Sequence, residues 1–210
     1  MAIEAVVFDM DGVLIDAKDW HYTALNKALA LFGYEISRAD HLSTFDGLPT
    51  RRKLEMLSKE RGLPRSLHSF LSELKQQYTV EQVHLQCRPL FVHEYALSHL
   101  KARGYKLGLA SNSIRSTVKL MMQKSNLEVY LDVMLSNEDV RKAKPDPDIY
   151  LRSAELLGVK PENCLVVEDN PNGIKAAEDA GCQLLVVNSV NDVQLDRILT
   201  AIARSEERGS

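Results

Sequence analysis

The chain has 210 residues, of which 45% are hydrophobic and 26% are charged, and its formal net charge is -3 at pH 7. This composition is typical of a soluble globular protein with room for one domain and a smaller insertion. The near balance of charge gives no reason to expect nucleic acid or an anionic membrane as a partner. Three widely spaced cysteines, with no CxxC pair, disfavour a disulfide framework or a zinc site.

The amino-terminal segment predicts neither a signal peptide nor a membrane anchor. The apolar run Ile3–Phe8 contains Glu4 and follows no basic stretch, whereas a signal peptide has a basic start and a longer apolar core. No apolar run approaches the roughly 20 residues that a spanning helix needs. We therefore expect a cytoplasmic protein without a membrane partner, as a monomer or homodimer.

Short apolar and β-branched runs predict five strands that are buried on both faces. They are Ile3–Phe8, Tyr105–Ala110, Asp132–Leu135, Cys164–Val167 and Gln183–Val187. Amphipathic helical patterns separate the later strands, and glycines follow several of them. This alternation predicts an α/β fold with a parallel five-stranded sheet and right-handed crossovers.

The segment between the first two strands breaks this alternation. Residues 17–84 show three helical patterns and no strand pattern. A connection of this length is too long for an ordinary loop. We therefore predict an inserted α-helical cap domain at 17–84 and a core domain formed by residues 1–16 and 85–210.

The first strand runs directly into a pair of carboxylates. Asp9 and Asp11 flank Met10, and Gly12 follows. Ligands of open α/β sheets bind beyond the carboxyl ends of the strands, where these residues lie. Two close carboxylates repel each other unless a cation or a proton intervenes, and Mg²⁺ is the natural oxygen-bound partner. Taken alone, the motif is equally compatible with a solvated turn.

Three further polar groups follow other elements of the predicted core. Ser111 follows the second strand, Lys144 lies on a proline-bounded loop, and Glu168 and Asp169 end the fourth strand. Each has an ordinary alternative, namely a helix N-cap, a surface lysine and a surface acidic pair. Together with Asp9 and Asp11, these groups bring four carboxylates, a hydroxyl and an ammonium to one sheet edge. Phosphoryl transfer needs such a set, because its catalysis is largely positioning and charge stabilisation.

These segments, in this order, resemble the four motifs of the haloacid dehalogenase superfamily. The matching stretches are Asp9-Met10-Asp11-Gly12, Ala110-Ser111-Asn112, Lys144-Pro145 and Glu168-Asp169. The helical insertion after the first motif is similar to that of the β-phosphoglucomutase-like branch. The resemblance covers the whole chain and implies an enzyme that acts on phosphate esters. It also implies a Rossmann-like core sheet of five parallel strands in the order 5-4-1-2-3.

The resemblance also implies a role for each motif residue. Asp9 is expected to be the nucleophile that takes the phosphoryl group, and Asp11 the general acid and then the general base. Ser111 and the Asn112 N–H are expected to bind phosphate oxygens, and Lys144 to steady Asp9 and the phosphoryl group.

A magnesium site is implied by the same resemblance. The expected ligands are a carboxylate oxygen of Asp9, the backbone carbonyl of Asp11, and Asp169. Glu168 is expected to bind the ion directly or through water. Mg²⁺ is the cofactor that the resemblance implies.

Three residues of the predicted cap are candidates for substrate binding: His21, Arg51 and Lys75. His21 matches a cap-entry histidine of the branch, and Arg51 lies in a stretch similar to its specificity loop. Each is equally compatible with a solvated position on a helix. The mutase has an arginine where this chain has Thr50, with Arg51 next to it, and this difference weakens the mutase assignment.

We therefore predict a magnesium-dependent phosphatase of a small phosphorylated metabolite, such as a sugar phosphate, acting through an aspartyl-phosphate. A sugar phosphomutase of the β-phosphoglucomutase type uses the same core residues and remains an alternative. A non-catalytic phosphate-binding regulatory protein is a second alternative from another class.

Overall fold

The computed structural model describes residues 2–208 and divides them into two compact units. One unit comprises residues 2–16 and 88–208, and the other comprises residues 17–87. The predicted boundary at residue 84 lies inside a helix that continues to Gln86. Among the described residues, no helix is both long and apolar enough to cross a membrane.

A parallel five-stranded sheet forms the centre of the first unit. The strands are Ala5–Phe8 (β1), Lys106–Ala110 (β2), Val133–Leu135 (β3), Cys164–Glu168 (β4) and Gln183–Val186 (β5). Their spatial order is β3-β2-β1-β4-β5, which is the predicted order read from the other edge. The predicted fold class is thereby confirmed.

The pairing register aligns the carboxyl ends of β1, β2 and β4. Phe8 pairs with Leu109 in β2 and with Val167 in β4. Because the strands are parallel, the residues that follow these three positions leave the sheet at one edge. Every residue of β1 and β4 is buried, which explains their uninterrupted apolar sequences.

Helices flank the sheet and complete the first unit. They are Phe91–Ala102 (α5), Arg115–Lys124 (α6), Asp148–Leu157 (α7), Pro171–Asp179 (α8) and Leu195–Arg208 (α9). Ile149 and Ala154 of α7 and Ala177 of α8 join Val7 and Val166 of the sheet in one buried cluster. This cluster fixes α7 and α8 against the strands that carry the acidic motifs.

The second unit is entirely helical among its described elements. It contains Lys18–Ala30 (α1), Arg38–Asp40 (α2), a π-helical turn at His41–Phe45, Thr50–Arg61 (α3) and His68–Gln86 (α4). Its core includes Leu25, Leu29, Leu54, Leu57 and Leu71, all buried. The predicted helical patterns correspond to α1, α3 and α4. The sequence analysis did not predict α2 and the π-helical turn, because they are too short to show an apolar period.

Candidate active site

The loop after β1 holds Asp9 and Asp11 in a tight turn. The N–H of Gly12 donates to the carbonyl of Ile15 (2.7 Å), and the N–H of Ile15 donates to the carbonyl of Met10 (2.9 Å). Gly12 has a φ of 98°, a conformation that side-chain-bearing residues rarely adopt. The turn is therefore built by hydrogen bonds and a glycine, and the alternative of a loose solvated turn is wrong.

Lys144 lies at the centre of the site. Its Nζ donates to Asp9 Oδ1 (2.6 Å), Glu168 Oε1 (2.7 Å) and the Ala110 carbonyl (2.9 Å). The residue is 3% exposed, so the alternative of a surface lysine is wrong. One ammonium thus joins groups from three different strand ends, and its single positive charge is shared between two carboxylates.

Glu168 is fixed by four donors. Its Oε1 accepts from Lys144 Nζ and from the Tyr150 hydroxyl (3.0 Å), and its Oε2 accepts from the N–H groups of Asp169 and Asn170 (2.9 Å each). It is 1% exposed, which contradicts the alternative of a surface acidic pair. Both oxygens are engaged, so Glu168 is held as a counter-ion of Lys144.

The sequence analysis missed Tyr150, which lies in the first turn of α7. Besides its hydrogen bond to Glu168, its ring centre is 4.7 Å from Lys144 Nζ. Burial, and then the charge of Glu168, raise the pKa of the Tyr150 phenol well above its usual value, so it stays a hydroxyl donor. Nothing in a single sequence indicates that a tyrosine six residues after the motif lysine would hydrogen-bond to Glu168.

Gly173 in α8 is the second residue that the sequence analysis did not assign to the site. A Cβ at this position would come 1.5 Å from Glu168 Oε1. A glutamate carboxylate can normally move away from such a contact, but the Glu168 carboxylate is held by four hydrogen bonds. Gly173 therefore leaves the space that the Glu168 carboxylate occupies.

We expect Gly173→Ala to lower stability by about 1–3 kcal/mol, as overpacking does, although alanine in a helix is normally favoured over glycine by about 0.5–1 kcal/mol. Urea unfolding measures the change. Glu178→Ala, at an exposed position of the same helix, is the control and should change stability little. A stabilised Gly173→Ala protein would show that Glu168 is not held in place.

Ser111 and Asn112 follow β2 and precede α6 by several residues. The N-cap of α6 is Ile114, so the alternative of Ser111 as a helix N-cap is wrong. The Ser111 Oγ accepts from the Ser113 N–H (3.0 Å). The Asn112 side chain pairs with the backbone of Lys144, accepting from its N–H (3.0 Å) and donating to its carbonyl (3.2 Å). Asn112 thus positions Lys144, a role that the sequence analysis did not predict.

Asp11 is joined to the second strand end by a residue that the sequence analysis did not assign. The Ser113 hydroxyl donates to Asp11 Oδ2 (3.0 Å). The contact orients one carboxylate oxygen of Asp11 and links the loops after β1 and β2. A serine two residues after the motif serine is too common in loops to have signalled this contact.

The comparisons with known proteins agree with this geometry. A family model described as haloacid dehalogenase-like hydrolase matches residues 6–187. The chain belongs to this family. The resemblance drawn from the motifs is therefore confirmed, and the chain is an enzyme of the hydrolase class.

Several relatives of this hydrolase are named for reactions of phosphate esters. It is 32% identical over 209 residues to a Thermotoga maritima protein named phosphorylated carbohydrates phosphatase, covering 98% of this chain and 96% of that protein. It is 29% identical over 179 residues to phosphoglycolate phosphatase of Aquifex aeolicus, covering 85% and 82%. The crystal structure of β-phosphoglucomutase from Clostridium difficile matches with a TM-score of 0.86 at 25% identity, covering 98% and 99%.

The acidic residues of this haloacid dehalogenase-like hydrolase fit a divalent cation. Asp9, Glu168 and Asp169 each offer an oxygen, and the three oxygens lie within 4.8 Å of one another. Carboxylate oxygens in this number suit a hard cation such as Mg²⁺. Direct coordination by Asp9 and Asp169, with Glu168 direct or through water, remains a prediction. The contribution of the Asp11 carbonyl remains a prediction.

Burial and the neighbouring charges act in opposite directions on Asp9 and Lys144. Burial raises the pKa of Asp9 well above its usual value; Lys144 lowers it, and the neighbouring carboxylates raise it further. Burial would lower the pKa of Lys144, but Asp9 and Glu168 outweigh burial and raise it. A second cation near Asp9 would favour its ionised, nucleophilic form.

The three predicted substrate-binding residues of the helical unit have different surroundings. His21 Nδ1 and Lys75 Nζ are 3.1 Å apart, and Lys75 is buried. The Arg51 side chain is 89% exposed and pairs with Glu55 on its own helix. Roles for His21, Arg51 and Lys75 in substrate binding remain predictions.

Proposed function

We propose that this haloacid dehalogenase-like hydrolase is a magnesium-dependent phosphatase of small phosphorylated metabolites, acting through an aspartyl-phosphate on Asp9. One observation carries the proposal. The buried Lys144 ammonium joins Asp9 to Glu168, beside the oxygen cluster that includes Asp169. A carboxylate is a poor nucleophile toward an anionic phosphate unless nearby cations offset the repulsion, and this site is built to do so.

In the first step, a carboxylate oxygen of Asp9 attacks the phosphorus of the ester. A new bond forms between Asp9 and phosphorus as the bond from phosphorus to the leaving oxygen breaks. Protonated Asp11 gives its proton to that oxygen, which leaves as an alcohol. The Ser113 hydroxyl holds Asp11 in position for this transfer.

In the second step, the Asp11 carboxylate takes a proton from a water molecule. The water oxygen attacks phosphorus, and the bond between phosphorus and Asp9 breaks. Inorganic phosphate leaves, and Asp9 is again a free carboxylate. Throughout, Ser111 and the Asn112 N–H bind phosphoryl oxygens and Lys144 offsets their charge.

Bound Mg²⁺ would offset negative charge on the nucleophile and the phosphoryl oxygens. We expect chelation by EDTA to abolish phosphate release and added Mg²⁺ to restore it. A second measurement is independent of turnover: Mg²⁺ at about 100 times its Kd should stabilise the protein by about 2.7 kcal/mol. Asp169→Asn should abolish this stabilisation. Full activity in EDTA would contradict the proposed metal dependence.

The substrate class rests on the relatives. The Thermotoga protein is named for phosphorylated carbohydrates, and we propose a sugar phosphate or a related metabolite for this chain. We propose no nucleic acid or membrane partner, a cytoplasmic location, and a monomer or homodimer. A phosphate-release screen over phosphorylated metabolites with Mg²⁺ tests the substrate class.

A sugar phosphomutase is the second candidate, favoured by the match to β-phosphoglucomutase. Its second step would transfer the phosphoryl group from Asp9 to a sugar hydroxyl instead of water. The two reactions separate in one assay on a hexose 1-phosphate, with and without a bisphosphate activator. Isomerisation without release of inorganic phosphate would overturn the phosphatase proposal.

A further inference from the structure

The loop after β3 (residues 136–139) lies against the loop after β2 (residues 111–114), which carries the proposed phosphate-binding groups. Asn137 makes two of the contacts between these loops. Its side-chain Nδ2 donates to the Asn112 carbonyl (2.7 Å), and its backbone N–H donates to the Ser113 carbonyl (3.1 Å). One residue therefore holds two successive carbonyls of the neighbouring loop.

Two further hydrogen bonds join the loop after β3 to the start of α6. The Arg115 N–H donates to Glu138 Oε2 (2.7 Å), and the Arg115 guanidinium donates to Asp139 Oδ1 (2.7 Å). The Arg115 side chain is 65% exposed, and such a surface ion pair contributes little. The contacts of Asn137, which is half-buried, are therefore the ones that matter most for the loop after β2.

The loop after β3 is itself held in shape by Asp139. Its Oδ2 accepts from both the N–H (2.8 Å) and the hydroxyl (2.5 Å) of Ser136, and its N–H donates to the Ser136 carbonyl (3.2 Å). These bonds close a tight turn around Asn137. The amide of Asn137 is thus presented from a fixed backbone.

The two carbonyls that Asn137 holds belong to a loop that is proposed to bind an anion. A carbonyl oxygen carries a partial negative charge and repels phosphate, whereas backbone N–H groups attract it. A peptide plane that rotated in this loop would turn an oxygen toward the ligand in place of an N–H. Donors that occupy the carbonyl oxygens oppose this rotation.

The other contacts of the same loop do not act on these carbonyls. The Asn112 side chain pairs with the backbone of Lys144, and the Ser111 N–H donates to the Leu135 carbonyl (3.0 Å). Without the Asn137 amide, both contacts would remain, but the Asn112 carbonyl would lose the donor that orients it. Asparagine in a loop typically bonds its own neighbouring backbone, whereas this one donates to a residue 25 positions away.

We propose that Asn137 is a positioning residue that holds the loop after β2 in its phosphate-binding conformation. The inference rests on the proposed function, in which Ser111 and the Asn112 N–H bind the phosphoryl oxygens. Asn137 acts on the phosphoryl group through the backbone of that loop.

The test measures the affinity for inorganic phosphate, which requires no turnover. Calorimetry in the presence of Mg²⁺ compares wild type, Asn137→Ala and Asn191→Ala. We expect Asn137→Ala to weaken the Kd for phosphate about fivefold, the size of one net hydrogen bond. Asn191→Ala makes the same change at an exposed position of the same unit and should keep the wild-type Kd.

Two further readouts distinguish positioning from a general loosening of the site. Stabilisation by Mg²⁺ should be unchanged in Asn137→Ala, because the hydrogen bonds of Asn137 go to the loop after β2 and not to the metal-binding carboxylates. In turnover, kcat/KM should fall by the same factor for a sugar phosphate and for p-nitrophenyl phosphate. The loop holds the phosphoryl group that the two esters share, and not their leaving groups.

The outcomes separate this inference from the proposed function. An unchanged phosphate Kd in Asn137→Ala, or a lower stability in urea without a change of Kd, would overturn the inference and leave Asn137 with a structural role only. Unequal losses for the two esters would also overturn it. A wild-type protein that binds phosphate but hydrolyses no ester contradicts the proposed function, and the phosphate Kd still decides the role of Asn137.

Discussion

Asp9→Asn should lower phosphate release by at least about 10⁴-fold, as the loss of a nucleophile does in other covalent enzymes. The amide oxygen cannot form the acyl phosphate, and the amide offers the cation a weaker ligand than the carboxylate. The fold should survive, because asparagine has almost the same shape and its oxygen can still accept from Lys144 Nζ. Initial rates on the best substrate measure the effect. A thermal melt of the variant checks that it is folded.

A matched control separates chemistry from charge. Asp196→Asn removes one carboxylate from an exposed position of the same unit and should leave the rate unchanged. Acid quenching during turnover should trap radioactive phosphate on wild type and not on Asp9→Asn. Substantial turnover by Asp9→Asn would exclude the aspartyl-phosphate mechanism, and an inactive wild type would favour a phosphate-binding protein.

Lys144→Met should destabilise the protein by about 3–5 kcal/mol at pH 8, because it leaves buried carboxylates without their counter-ion. The Asp9 and Glu168 side chains would lie in a buried site that has lost an ammonium with three hydrogen bonds. Activity should also be lost, since Lys144 is the cation that pairs with Asp9 Oδ1. Urea unfolding in EDTA measures the stability change without metal.

The loss of stability should be smaller at pH 5 than at pH 8. The pKa of Asp9 is already raised by burial, and removing Lys144 takes away the charge that lowers it. A carboxyl with a raised native pKa stabilises the native state below its unfolded pKa, and this contribution is lost as pH rises through the native pKa. Lys142→Met, with its side chain 69% exposed and paired to Asp146, should show neither effect. Equal destabilisation at both pH values would contradict the role of Lys144 as a counter-ion.

The core residues that the sequence predicted to lie together, and that the structure brings together, share one property. Asp9, Lys144 and Glu168 follow or adjoin regular elements, and parallel strands carry such residues to one edge whatever the details of packing. Apolar runs bounded by polar groups therefore sufficed to predict a parallel sheet and the meeting of the acids with the lysine, whereas the strand order came from the family resemblance.

The residues that the sequence analysis missed share the opposite property. Tyr150, Gly173 and Ser113 act through contacts with residues far away in the chain: Tyr150 donates its hydroxyl to Glu168, Gly173 leaves space for the Glu168 carboxylate, and Ser113 donates a hydrogen bond to Asp11. Nothing in their local sequence distinguishes them from ordinary helix or loop residues. Their roles exist because α7, α8 and the loop after β2 are packed where they are.

The helical unit shows the same division. The sequence predicted its three longer helices from their apolar periods, and Arg51 was chosen because it lies next to Thr50, where the mutase has its arginine. The burial of α3 decides that Lys53, and not Arg51, faces inward, and the π-helical turn decides that His41 lies near Asp46.

The sequence alone determined the fold class, the family and the four motifs, because periodicity and motif order are properties of the chain itself. The tertiary structure alone decided which carboxylate pairs with Lys144, which atoms remain for a cation, and which lysine of α3 is buried. These outcomes depend on distances of a few ångströms between residues far apart in the chain, and such distances are set by packing.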